Sequence, residues 1–256
     1  MHWANSAQSA TEEGKKSRDS AYKRVLSLLG DLRKADRIDR DSVIDLTRDL
    51  VEWQTYESPR EARAAMREQY DEDRWLGQPV FPILIVEKDT MEPVCKPMAS
   101  RWQMPFASSR GYGSLTLQHD VAEKLNHRFA KTGQQAKVYF VSDLDASGLD
   151  LQRSWEQALR DFGVPVEFVR IALTRAQVQN HVDERGQRLE RLSIEVKDSD
   201  TRSKSYIAQY GKRCWEVDIL PGRVIADTLD RDIHGWFNHY LWQQREREIE
   251  RARALL

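Results

Sequence analysis

The chain has 256 residues, 40% of them hydrophobic and 32% charged, and a formal net charge of -1. That length supports one sizeable core plus an appendage, and the near-zero charge excludes a protein that coats DNA through a global field, though not local phosphate binding. No apolar run approaches the ~18 residues of a membrane span, the polar start MHWANSAQSATEEGKK lacks a signal-peptide core, and Cys95 and Cys214 stand outside any C-x-x-C, so reduced thiols in a cytoplasmic setting are expected and zinc has no adequate ligand set.

Residues 1–16 are polar and expected to be poorly ordered. From Ser17 to Lys34 the spacing is helical, with Tyr22, Val25, Leu29 and Leu32 on one face. Ile38 to Arg48 reads as a short helix or turn, and Ser58 to Trp75 as another helix with Pro59 in its first turn. Residues 1–79 therefore form a small helical module. Its many basic residues are interspersed with acids and read first as solvated helix faces, with a DNA-facing patch as the alternative.

From Pro79 the pattern alternates. Phe81 to Val86 is a strand, Glu92 to Trp102 a helix, Met104 to Ser108 a short strand, and Leu117 to Phe129 a helix. Gly111 and Gly113 between them suit either a tight turn or close approach to a phosphate. Val138 to Val141 is an apolar run that reads as a buried parallel strand. It leads into Asp143, Leu144, Asp145 and Gly148, and then into an amphipathic helix from Leu149 to Phe162. Val166 to Leu173 is the next strand, followed by a helix capped by Thr174. Such alternation implies right-handed crossovers and a parallel sheet. Tyr206 to Leu220 carries Glu216 and Asp218 on alternating positions; if it is a strand, period two sets both on one face with Cys214. Val224 to Leu256 is a long helical pattern. The six histidines are scattered, and only His234 and His239 look paired. All are read as structural.

In open α/β sheets the ligand crevice lies at the carboxyl ends of strands. Asp143 and Asp145 sit there, and Glu87 ends the Phe81 strand in a matching position. For a lone D-x-D, a helix cap and a solvated loop residue would be the simpler account. Three carboxylates on one rim instead suit magnesium.

With Glu87 upstream of the D-x-D-x-x-G of Asp143, Asp145 and Gly148, the chain resembles the Toprim family of topoisomerases, primases and nucleases over roughly residues 80–220. The variant SDLDASG looks most like the topoisomerase VI A subunit, the meiotic double-strand-break proteins and their phage or bacterial relatives. The resemblance implies a Rossmann-like parallel sheet flanked by helices. Its domains are a helical module at 1–79 (a remnant of a winged-helix region), a Toprim domain at 80–222 and a C-terminal helix at 223–256. It implies Mg2+ or Mn2+ held by Glu87, Asp143 and Asp145, which are also the catalytic residues. DNA is the implied partner, with a homodimer or an ATPase subunit as further expectations. Lys88, Arg110, Ser114, Lys197 and Arg202 are implied as DNA-binding or rim groups, and Glu216 and Asp218 as extra acids. Salt bridges tying the tail to the sheet explain the last two, Lys197 and Arg202 equally well.

The family's nucleophilic tyrosine has no counterpart here. Tyr22 follows Arg18 at a superficially similar spacing but falls on an apolar helix face. Either the chain is a fragment or it lacks that tyrosine. Three functions stay open: a topoisomerase VI A-like DNA breaker, a hydrolytic Toprim nuclease working with an ATPase partner, and a non-catalytic DNA-binding subunit.

Overall fold

The computed structural model describes residues 12–39, 53–109, 115–196 and 202–256, with the backbone alone for 12–22. Two compact units divide at Met66/Arg67. The first contains α1 (Glu12–Lys34) and most of α2 (Pro59–Gln69). α1 starts five residues before the expected Ser17. α2 begins where Ser58 Oγ accepts the Glu61 N–H at 3.2 Å, an N-terminal cap. It stops at Gln69, short of the expected Trp75. The turn or helix expected over 38–48 lies mostly outside the described residues.

The second unit is α/β. In chain order it contains β1 (Val80–Val86), α3 (Glu92–Arg101), β2 (Phe106–Ser108), α4 (Leu115–Thr132), β3 (Gln135–Val141), α5 (Ala146–Asp161), β4 (Val166–Ala172) and α6 (Arg175–Asn180). The short pair β5 (Ile194–Glu195) and β6 (Arg213–Cys214) flanks α7 (Ser203–Tyr210), and α8 (Gly222–Trp236) and α9 (His239–Leu255) close the chain.

β1 to β4 form one sheet in the order β2-β1-β3-β4, parallel throughout. Six of the seven residues of β1 and of β3 are buried, which is why both read as unbroken apolar runs rather than alternating ones. α3 packs on β1, α4 on β3, and α5 and α8 on β4. Helices on a twisted parallel sheet bury these strands from both sides. Among the described residues, no helix is long and apolar enough to cross a membrane.

Three expectations change. Tyr206 to Leu220 is not one strand: it is the end of α7, the two-residue β6 and a 3-10 turn at Val217–Ile219. The buried Tyr206 hydroxyl lies between two carbonyl oxygens that share its one proton, Leu144 O (2.8 Å) and Arg213 O (2.9 Å), so the segment folds back on itself. The terminal helix is also broken. Phe237 takes an extended conformation after α8, and Asn238 Oδ1 accepts the Leu241 N–H at 3.1 Å to start α9. Finally, the second unit begins well before residue 80, because Trp75 belongs to its core. Trp75 is 1% exposed and meets the rings of Trp102, Trp236, Phe237 and Trp242 at centroid distances of 5.2 to 6.5 Å.

Candidate functional site

Register decides what meets at the sheet's carboxyl edge. β1 and β3 pair from Val80↔Gln135 to Val86↔Val141, so the residue after each strand emerges beside the other. The Glu87 N–H donates to Val141 O at 2.9 Å. The Asp143 N–H in turn donates to Glu87 Oε2 at 3.1 Å. Glu87 and Asp143 are thus neighbours across two adjacent strands, 56 residues apart in sequence.

Asp143 is only 7% exposed. Its Oδ1 accepts the Val217 N–H at 2.8 Å, and its Oδ2 faces Lys88 Nζ at 2.8 Å. Asp145 does what a helix-entry aspartate does: its Oδ1 accepts the Gly148 N–H at 2.6 Å, capping α5. The capping account therefore holds for Asp145, while the solvated-loop account fails for Asp143. Gly148 is required by space. A Cβ there would lie 2.4 Å from Asp143 O and 3.1 Å from Ser142 Oγ.

Lys88 is directed onto the carboxylates. Besides Asp143 it stands 3.3 Å from Asp218 Oδ2 and 3.9 Å from Glu216 Oε2. Thr90 Oγ1 donates to the other Asp218 oxygen at 2.9 Å. Glu216 and Asp218 thus join the cluster through Lys88, from a 3-10 turn rather than a strand face. Arg202 and Arg153 line a groove of about 210 Å³ along α5 and α7, next to the Asp145 loop. Arg110, Ser114 and Lys197 lie outside the described residues, as does the Tyr22 side chain.

Electrostatics follow from crowding. Burial, then the charges of Asp143 and Asp145, raise the Glu87 carboxyl from 4.5 to about 7, against the Asp143 N–H and Lys88. Asp143 is also raised by burial, with Lys88 and the Val217 N–H opposing. Burial raises Glu216 as well. Burial works against the charge on Lys88, yet Asp143, Asp218 and Glu216 outweigh it and hold the ammonium above the ordinary lysine range.

Two supports were not foreseen from the sequence. Arg170 of β4 donates to Asp143 O, to Ser142 Oγ (2.8 Å) and to Leu173 O (3.0 Å), tying down the loop that carries both aspartates. Its signal was an arginine inside an apolar strand, since a buried guanidinium requires partners. The second is a backbone bridge: Leu144 N donates to Trp215 O (2.9 Å) and Trp215 N to Leu144 O (3.1 Å). No local pattern announces it. Away from the site, His234 Nδ1 and His239 Nε2 lie 3.3 Å apart.

Among the described residues no group of three or more His, Cys, Asp or Glu side chains stands in metal-holding geometry, because Asp143 is turned to Lys88 and Val217, and Asp145 to Gly148. The donor set nonetheless suits a hard divalent ion in kind. Among the described residues carboxylates exceed cations there, and Glu87 is pushed to about 7 by burial and by its acidic neighbours. A bound cation relieves that repulsion. Comparison of the chain with protein-family models, curated proteins and solved structures finds no match.

Proposed function

We propose that this chain is a Toprim-type, magnesium- or manganese-dependent protein that resembles the topoisomerase VI A subunit and cleaves or nicks DNA phosphodiesters. The observation that supports it most is the junction of two adjacent parallel strand ends, where the Asp143 N–H bonds Glu87 Oε2. Glu87, Asp143 and Asp145 are the residues that would hold the ion. When bound, a divalent ion supplies charge stabilisation for a scissile phosphate and an activated water.

The chain's own groups account for the rest. In the metal-free site Glu87 is raised to about 7 by burial and by its acidic neighbours, so it gives up its proton near neutral pH to the ion it would ligate. Arg170 and the Trp215 bridge keep the Asp143–Asp145 loop in place. Arg202 borders the groove beside that loop, where Arg153 is paired with Asp150 at 2.6 Å. A hydrolytic nuclease working with an ATPase partner in the cytoplasm fits the same site without a tyrosine. A non-catalytic DNA-binding subunit is the second reading, and the observation in its favour is that Lys88 already neutralises Asp143.

Supercoiled plasmid incubated with protein and Mg2+ or Mn2+ tests the proposal. Nicked or linear product is expected, and it should vanish in Glu87→Gln and Asp143→Asn. Protease treatment after denaturation separates covalently attached DNA from simple hydrolysis. Absence of cleavage and of DNA binding at every metal concentration would sink the reading.

A further inference from the structure

The Lys88 ammonium is one cation among three carboxylates from two distant segments. Asp143 reaches it from the loop after β3, and Glu216 and Asp218 from the turn around Val217. The lysine itself follows Glu87 on the loop after β1. Its side chain is 28% exposed and that of Asp143 10%, so the pair is shielded from the screening that makes surface ion pairs weak. The same lysine also sets the orientation of Asp143: Oδ2 goes to Lys88, while Oδ1 is held by the Val217 N–H.

We infer that Lys88 is a tethered counter-cation of the acidic site, and that a divalent ion binds Asp143 only in competition with it. This rests on the proposed metal site. Two cations do not share one carboxylate oxygen at close range without strong repulsion. The geometry of Lys88 explains why no metal-ready group exists among the described residues although the carboxylates are abundant. Displacement of Lys88 frees Asp143 Oδ2 and leaves the released ammonium beside the site, where a DNA phosphate is the anion able to take it. The competition thus couples metal loading to the presence of nucleic acid. An ion alone must displace Lys88 without compensation, whereas an ion arriving with a phosphate gives the ammonium a new partner.

Isothermal titration with Mn2+ tests this on the full chain, without reference to turnover. Lys88→Met removes the competing charge and keeps the length of the apolar stem. It should bind Mn2+ at least about tenfold more tightly than the parent, the factor that a coupling of about 1.4 kcal/mol produces. Lys88→Arg retains a cation and should stay within a few-fold of the parent. The affinity gained in Lys88→Met should be lost again in Lys88→Met/Asp143→Asn. Adding a short DNA duplex should strengthen Mn2+ binding by the parent more than by Lys88→Met.

Equal Mn2+ affinity in the parent and Lys88→Met, both lost on Asp143→Asn, overturns the competition and leaves the metal reading standing. Mn2+ binding to neither protein overturns the metal reading and this inference with it. Should Lys88→Met fail to fold in metal-free buffer, its melting temperature in Mn2+ decides. Recovery of a cooperative transition supports Lys88 as the resident cation, and no recovery refutes it.

Discussion

Glu87 offers a direct test of the site's electrostatics. Replacing it with Gln keeps a side-chain oxygen able to accept the Asp143 N–H that now donates to Glu87 Oε2, while removing the ionisable carboxyl. The parent carboxyl is raised from 4.5 to about 7, so the folded state holds that proton more tightly than the unfolded chain does. The stability this contributes is fully present below pH 4.5 and is lost as pH climbs through about 7. At about 1.4 kcal/mol for each pH unit of displacement, the charged parent gives up roughly 3 kcal/mol by pH 8. The amide is neutral throughout and gives up nothing. Urea denaturation in a metal chelator should therefore show Glu87→Gln more stable than the parent by roughly 3 kcal/mol at pH 8. The two should converge toward pH 4. For a domain of this size the pH 8 gap corresponds to a melting temperature about 6–12 °C higher. A variant no more stable than the parent at pH 8, or an advantage that persists unchanged at pH 4, would refute the crowded-carboxylate account.

Other substitutions probe the scaffold and the chemistry. Gly148→Ala places a methyl against Asp143 O and should cost about 1–3 kcal/mol in thermal melts, weakening Mn2+ binding as the loop shifts. Arg170→Met strips donors from Asp143 O, Ser142 Oγ and Leu173 O. At about 1–3 kcal/mol per abandoned buried acceptor, it should lower the melting point sharply even without metal; an unchanged melt would contradict the role assigned to it. Trp75→Ala empties the centre of the aromatic cluster and should cost about 3–5 kcal/mol, a loss that a urea midpoint reads directly. If the proposed cleavage is found, Tyr22→Phe should leave it near the parent rate; abolished cleavage with intact folding would make that cleavage tyrosine-dependent.

By itself the sequence determined the parallel sheet and the acids at its rim. Unbroken apolar strands such as Phe81 to Val86 and Val138 to Val141 can be buried only when both faces are covered, and helices at the intervening spacing supply the cover. The end of each apolar run also announced what emerges after it, so Glu87, directly after Val86, and Asp143, two residues after Val141, were legible as rim groups. What those carboxylates touch was decided by tertiary structure alone. Lys88 meets Asp218 130 residues away, Asp143 accepts the Val217 N–H 74 residues away, and Arg170 reaches back 27 residues to Asp143 O. Local periodicity carries no information about such pairings. The course of the segment from Tyr206 to Leu220 and the break at Asn238 were not legible for the same reason. Their backbones follow the buried Tyr206 hydroxyl bonds and the Trp75 aromatic cluster, and those partners come from remote parts of the chain, which outweigh local propensity.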